Sequence, residues 1–257
     1  MSSVFLAKGI DEKGEVFTRA YYGLDAVVSM VSLDEFDSDT IQIKARNDLQ
    51  WIKEKAVIHE MVIEEALRNG SELLSLIPMK FGTIFKEEKA LQETLSKHHE
   101  QFKAMLAKLE GKQEWSVKAY LTDSQKFEQA IKEKNTVIQE KAKEITDLPE
   151  GMAFFMEEEF KEIISREVSR EIDRVVEGLF ESLSRHAESS VQNHILGREL
   201  TGRNEPMVFN AACLVASGDI EEFKGVARRL HQELQKTGLN LEFNGPWPAY
   251  HFATLEN

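Results

Sequence analysis

The chain has 257 residues, 42% of them hydrophobic and 30% charged, enough to bury a sizeable core in one large or two smaller domains. Its 45 acidic side chains against 32 basic ones leave a net charge of −13. That balance argues against nucleic acid, whose binding needs basic surface to displace counterions, and against electrostatic attraction to anionic membranes.

The opening residues, Met1 to Lys8, reach a charge after a few apolar positions and do not read as a signal peptide. No apolar run approaches the roughly 20 residues of a spanning helix. Val4–Ile10 predicts a first strand, closed by Asp11–Gly14. Ala26–Leu33 predicts a second, rich in β-branched residues. From Asp48 to about Leu67 a helix is expected, with Leu49, Ile52, Ala56, Ile63 and Leu67 on one stripe and Asn69-Gly70 as its stop.

Leu76–Phe85 predicts a third strand, in which Gly82 marks a bulge or a close backbone approach. Lys86–Glu110 predicts one helix, with His98 on its apolar stripe and Gly111 as terminator. Glu114–Thr122 alternates as a strand, Trp115, Val117, Ala119 and Leu121 facing one way. The order β, β, α, β, α, β is close to a ferredoxin-like unit, an antiparallel sheet with helices on one face, and we place the first domain at 1–122.

The second domain, 123–257, is expected to be helix-rich with a small antiparallel sheet, which makes the whole α+β. Asp123–Leu148 predicts a charged helix broken by Pro149. Ala153–Met156 reads as a strand or as entry to the next helix. Glu157 to about Ile195 keeps a helical stripe, with possible breaks at Gly178 or Ser189-Ser190. Gly197–Glu205 reads as an exposed loop and Met207–Ala216 as a strand covered on both faces. Asp219 with Glu222 suggests a capping box for a helix closed by Gly238. The last strand starts at Leu239, with Asn244-Gly245 as a turn. Pro246 and Pro248 then fix φ on either side of Trp247, and Tyr250 and Phe252 follow. So stiff a run of rings is either a pinned core or a docking knob.

Catalytic patterns are weak. His59-Glu60 opens like a zinc-protease helix but has Ile63 where the second ligand must sit. His98 and His99 point to different parts of their helix, and His186 and His194 lie too far apart to chelate one ion. The acids around Glu157–Asp173 suit a solvated helix better than a metal site. Cys213, the one cysteine, lies in an apolar strand that favours an inert thiol. No catalytic residue, cofactor or metal ligand is assigned.

Two motifs do stand out: Ile77-Pro-Met-Lys-Phe-Gly-Thr-Ile-Phe85 and Gly245-Pro-Trp-Pro-Ala-Tyr-His-Phe252. Together with Glu114–Lys118 and Asn210–Val215 they resemble, in order and spacing, the gas vesicle protein family of the F and L type. The motif is carried by Pro78, Phe81 and Gly82, and by Gly245, Pro246, Trp247, Pro248, Tyr250 and Phe252. The resemblance implies two α+β domains, the first a modified ferredoxin-like unit. It also implies a non-enzymatic cytoplasmic and gas vesicle protein that works with the hydrophobic major shell protein and other gas vesicle accessory proteins. A factor that shields the shell protein from aggregation, a component fixed to the vesicle wall, and an enzyme acting on an unknown small molecule are the three readings. For Phe81, Trp247, Tyr250 and Phe252 core packing or a domain seam stands beside a partner-binding surface.

Overall fold

A computed structural model describes residues 9–12, 14–69, 72–146 and 149–253. By backbone contacts the chain forms two units, one of residues 1–113 with 247–257 and one of residues 114–246. The single cut expected after Thr122 differs from this at both ends. The strand around Trp115 belongs with the second unit, and the tail from Trp247 returns to the first.

In the first unit β1 (Val16–Tyr21) and β2 (Leu24–Ser29) form an antiparallel hairpin, with Tyr21 opposite Leu24. Tyr22 (φ +46°) and Gly23 (φ +82°) make its turn, the two left-handed positions a two-residue hairpin needs. The strand expected over Val4–Ile10 lies outside the described residues except for Gly9 and Ile10, which are not in a strand. The strand at Val16–Tyr21 was not anticipated. Three helices follow: α1 (Leu33–Phe36), α2 (Ser38–Asn47) and α3 (Leu49–Leu67). The second strand thus ends short of Leu33, whose turn Ser32 caps through its hydroxyl. Beyond α3 the chain enters a two-residue ladder, β3 (Arg68–Asn69) with β4 (Glu72–Leu73).

Leu76–Phe85 is not a strand. Pro78 has no N–H to give a ladder, and Gly82 at φ +85° turns the chain, so that the Thr83 N–H donates to the Lys80 carbonyl at 3.1 Å. The helix expected over Lys86–Glu110 is two, α4 (Glu88–Lys97) and α5 (His99–Leu109), broken at His98 (φ −108°, ψ 17°). Leu24, Leu95 and Phe102 form a buried cluster in this unit, with Ile77, Met79 and Leu106 packed around them.

The second unit holds a four-stranded sheet in the order β6-β7-β5-β8. Its strands are β5 (Lys112–Leu121), β6 (Ser189–Gln192), β7 (Met207–Ala216) and β8 (Leu239–Trp247). The region Asp123–Leu148 gives two helices, α6 (Ser124–Lys134) and α7 (Thr136–Thr146), because Asn135 leaves the helical region at φ −89°, ψ 110°. Helix α8 runs from Glu150 to Ser184. It absorbs Ala153–Met156, passes through Gly178 without a break, and stops before Ser189-Ser190, which open β6.

A short helix, α9 (Arg198–Thr201), occupies the polar loop, and α10 (Ile220–Gln235) follows β7. Asp219 precedes α10 without a side-chain cap bond, so the expected capping box does not form. Strand β7 is buried on both faces, as its apolar run predicted. The core joins Trp115, Val117 and Ala119 with Phe209, Cys213, Phe223 and Leu241, and with Ile164 and Leu183 of α8. Burial pushes the Cys213 thiol up to about 11, the inert behaviour its strand suggested.

Candidate functional site

Helix α3 positions both distinctive motifs. It starts because Asp48 accepts the Trp51 N–H at 3.1 Å. That bond and the Lys44 ammonium hold the Asp48 carboxyl below the usual range. Two adjacent side chains further along the helix then reach in different directions. His59 donates from Nε2 to the Met79 carbonyl at 3.0 Å, and its ring meets Phe81 edge-on with centroids 5.9 Å apart. Glu60 accepts the Tyr250 hydroxyl at 2.7 Å. The Pro78–Gly82 turn and the C-terminal corner are therefore both tied to one turn of one helix. Nothing in the spacing of His59 and Glu60 signalled this; their pairing was read only against a zinc motif.

The corner itself differs from the expectation. Neither Asn244 nor Gly245 takes positive φ, and β8 continues through them to Trp247. Gly245 is small for another reason. A Cβ there would stand 2.8 Å from Cδ2 of Trp115 and 2.9 Å from the Glu114 carbonyl oxygen, so the glycine permits close approach to β5. The Gly245–Pro246 peptide is cis. Beyond it Trp247 keeps 40% of its surface exposed. Pro248 is buried, and the Tyr250 N–H folds back onto the Pro248 carbonyl at 2.7 Å.

The four candidate rings thus differ in kind. Trp247 is exposed, Phe81 and Tyr250 are half-buried, and Phe252 is 6% exposed and serves as an anchor rather than a contact. Pro78 is buried beneath its turn. On α3, Val57 and Met61 sit one turn apart and are both exposed. Among the described residues no group of three or more His, Cys, Asp or Glu side chains is arranged to hold a metal ion, and no helix is long and apolar enough to cross a membrane.

These features describe a two-part α+β chain in which two stiff aromatic motifs converge on a single helix. The chain belongs to the gas vesicle synthesis protein family GvpL/GvpF, whose family model matches residues 2–254. It is 25% identical to gas vesicle protein L of Streptomyces sp. (strain CB03234), over 90% of this chain and 80% of that one. It is also 25% identical to gas vesicle protein F of Dolichospermum flosaquae, over 77% of this chain and 76% of that one. The fold resembles the crystal structure of GvpF from Anabaena sp. PCC7120, with a TM-score of 0.73 and 19% identity over 100% of this chain and 93% of that one. A second similar fold is GvpF from Microcystis aeruginosa, with a TM-score of 0.63 and 20% identity over 96% and 92%.

Proposed function

We propose that the chain serves gas vesicle formation by non-covalent contact, covering apolar surface on the major shell protein before that protein is built into the wall. A subunit destined to line a gas space must present apolar surface, and such surface aggregates while it is free. The observation that carries this reading is Trp247, a large ring between two prolines that keeps 40% of its surface exposed. Its base is fixed by Pro248, by buried Phe252 and by the Tyr250–Glu60 bond. Trp and Tyr make good interface anchors because they bury much area at small rotamer cost. Phe81, together with Val57 and Met61 on α3, adds apolar surface within the same unit. The working location is the cytoplasm and the gas vesicle, and other gas vesicle proteins are further partners. The relatives compared are all named gas vesicle proteins, which agrees with a role in assembly rather than catalysis.

Trp247→Ala tests the proposal, since the ring is not among the buried core residues. Tagged wild type and variant are each co-expressed with the major shell protein and pulled down. The variant should retain wild-type circular dichroism and recover much less shell protein. Equal recovery by a folded variant would overturn this docking site.

A further inference from the structure

The sheet of the second unit ends in β6 on one side and β8 on the other. The β8 side is closed: Leu239 and Leu241 are 1% and 2% exposed, and the Leu241 carbonyl accepts from Nδ1 of His231 at 2.7 Å. The β6 side is open. Val191 is 38% exposed, Gln192 beside it is exposed, and among the described residues no strand pairs with β6 on that side.

The register of β6 on β7 fixes which backbone groups are free. Gln192 lies opposite Ala211, and the next residue, Asn193, donates its N–H to the Asn210 carbonyl at 2.8 Å. Direction alternates along a strand, so Asn193 and Val191 face β7 while Ser190 and Gln192 turn their N–H and carbonyl groups outward. Natural edges are commonly guarded by charge or proline. Ser189–Asn193 carries neither, in a chain that is 30% charged.

We infer that β6 pairs antiparallel with β6 of a second copy across a two-fold axis at Val191. Outward residues can exchange bonds only with outward residues, so the axis falls at Ser190, Val191 or Gln192. An axis at Ser190 would set Gln192 against Glu188, whose N–H is already given to the Leu214 carbonyl at 2.8 Å. An axis at Gln192 would set Ser190 against His194, whose carbonyl already accepts from Asn210 Nδ2 at 2.8 Å. With the axis at Val191, Ser190 of each copy exchanges both bonds with Gln192 of the other, and every free edge group is used. The two Val191 side chains then meet at a position between bonded pairs, where side chains of opposed strands approach most closely and cover each other. The same register brings exposed Glu188, just before the strand in one copy, to the end where exposed His194 follows it in the other, and a carboxylate accepts an imidazole N–H. The edge is thus complementary to itself, as an isologous contact requires, which favours a second copy over an unrelated strand. The net charge of −13 opposes the approach of copies, so the pairing strengthens as salt screens it. This edge lies within the second unit and is independent of the docking reading for Trp247.

The test is sedimentation velocity of the full chain at neutral pH in about 0.5 M salt, over a concentration series reaching about 0.5 mM. A contact this small should give a dimer with Kd on the order of 0.1–1 mM. Gln192→Pro removes an outward N–H and leaves the β7 ladder intact, so it should keep wild-type circular dichroism and weaken the dimer about tenfold. Val191→Cys reads the register. With glutathione disulfide as oxidant it should yield a disulfide-linked dimer, while Gln192→Cys, which faces Ser190 of the other copy, should yield far less. The native Cys213 is buried and does not compete. A wild type that stays monomeric throughout would overturn self-pairing and leave the edge to a strand of another protein. Dimerisation of folded Gln192→Pro at wild-type strength, or equal cross-linking of the two cysteine variants, would overturn it as well. Trp247→Ala should dimerise like wild type under these conditions, which separates this edge from the other surface.

Discussion

Gly82 sits at φ +85° in the turn that presents Phe81, a backbone conformation that any Cβ strains. Gly82→Ala should destabilise the protein by about 1 kcal/mol. Gly178 is the contrasting case. It lies inside α8 with open space where a Cβ would stand, so Gly178→Ala should stabilise by about 0.5–1 kcal/mol through helix propensity. Urea midpoints of the two variants should move in opposite directions. His99 carries a pH dependence at the same scale. Its Nε2 faces the Tyr22 carbonyl and its Nδ1 faces a Glu100 oxygen, each at 2.9 Å. Only the imidazolium donates to both. The Tyr22 carbonyl first, then Glu100, raises the His99 pKa, while nearby Lys103 opposes them. A raised value means the contribution is fully present below the unfolded pKa and is lost as pH rises through the folded one. Tyr22, 76% exposed at the hairpin tip, is held to α5 by this contact. Amide exchange at Gly23 and Leu24 should therefore quicken with the His99 ring titration, beyond the ordinary base catalysis of exchange. Exchange that ignores the titration would count against the coupling.

At the scale of elements, periodicity located the apolar stretches better than the breaks within them. Strand β7 and helix α10 were legible because one is a continuous apolar run and the other a clean amphipathic stripe. The break at Asn135 was not, since polar Asn is ordinary on an exposed helix face. Its role depends on a distant partner. Asn135 Oδ1 accepts the Ile138 N–H at 3.2 Å and so starts α7, while Nδ2 donates to Glu167 of α8 at 2.9 Å. That second bond, with Arg170, holds the Glu167 carboxyl below its ordinary range. Asn135→Ala should cost about 1–2 kcal/mol, combining a lost cap with one fewer donor to Glu167. Asn135→Asp keeps a capping oxygen but sets a second carboxylate against Glu167, so its urea midpoint should be no higher than that of the alanine variant. A midpoint near wild type would show that the contact with Glu167 contributes little. The Pro78–Gly82 stretch failed as a strand for a local reason that was legible: proline and glycine at those positions favour a turn, and alternation of the surrounding apolar residues outweighed that signal.

For the whole molecule, the order of predicted elements indicated an α+β chain, but sheet membership is a long-range property. The strand around Trp115 and the tail after Trp247 reveal their units only through partners far away in sequence. Net charge acts at this scale too. An excess of carboxylates makes copies repel one another at neutral pH, and salt screens that repulsion. A protein that leaves Trp247, Val57, Met61 and Tyr22 in solvent needs a counterweight to apolar self-association, and the charge supplies it. Light scattering should therefore give a repulsive interaction parameter at pH 7.5 in low salt, a smaller one in 0.5 M salt, and an attractive one as pH falls toward the acidic isoelectric point. Trp247→Ala should lessen the attraction near that point, because the ring is part of what charge holds apart. If the interaction parameter stays unchanged across salt and pH, electrostatic repulsion is not what keeps the free chain dispersed.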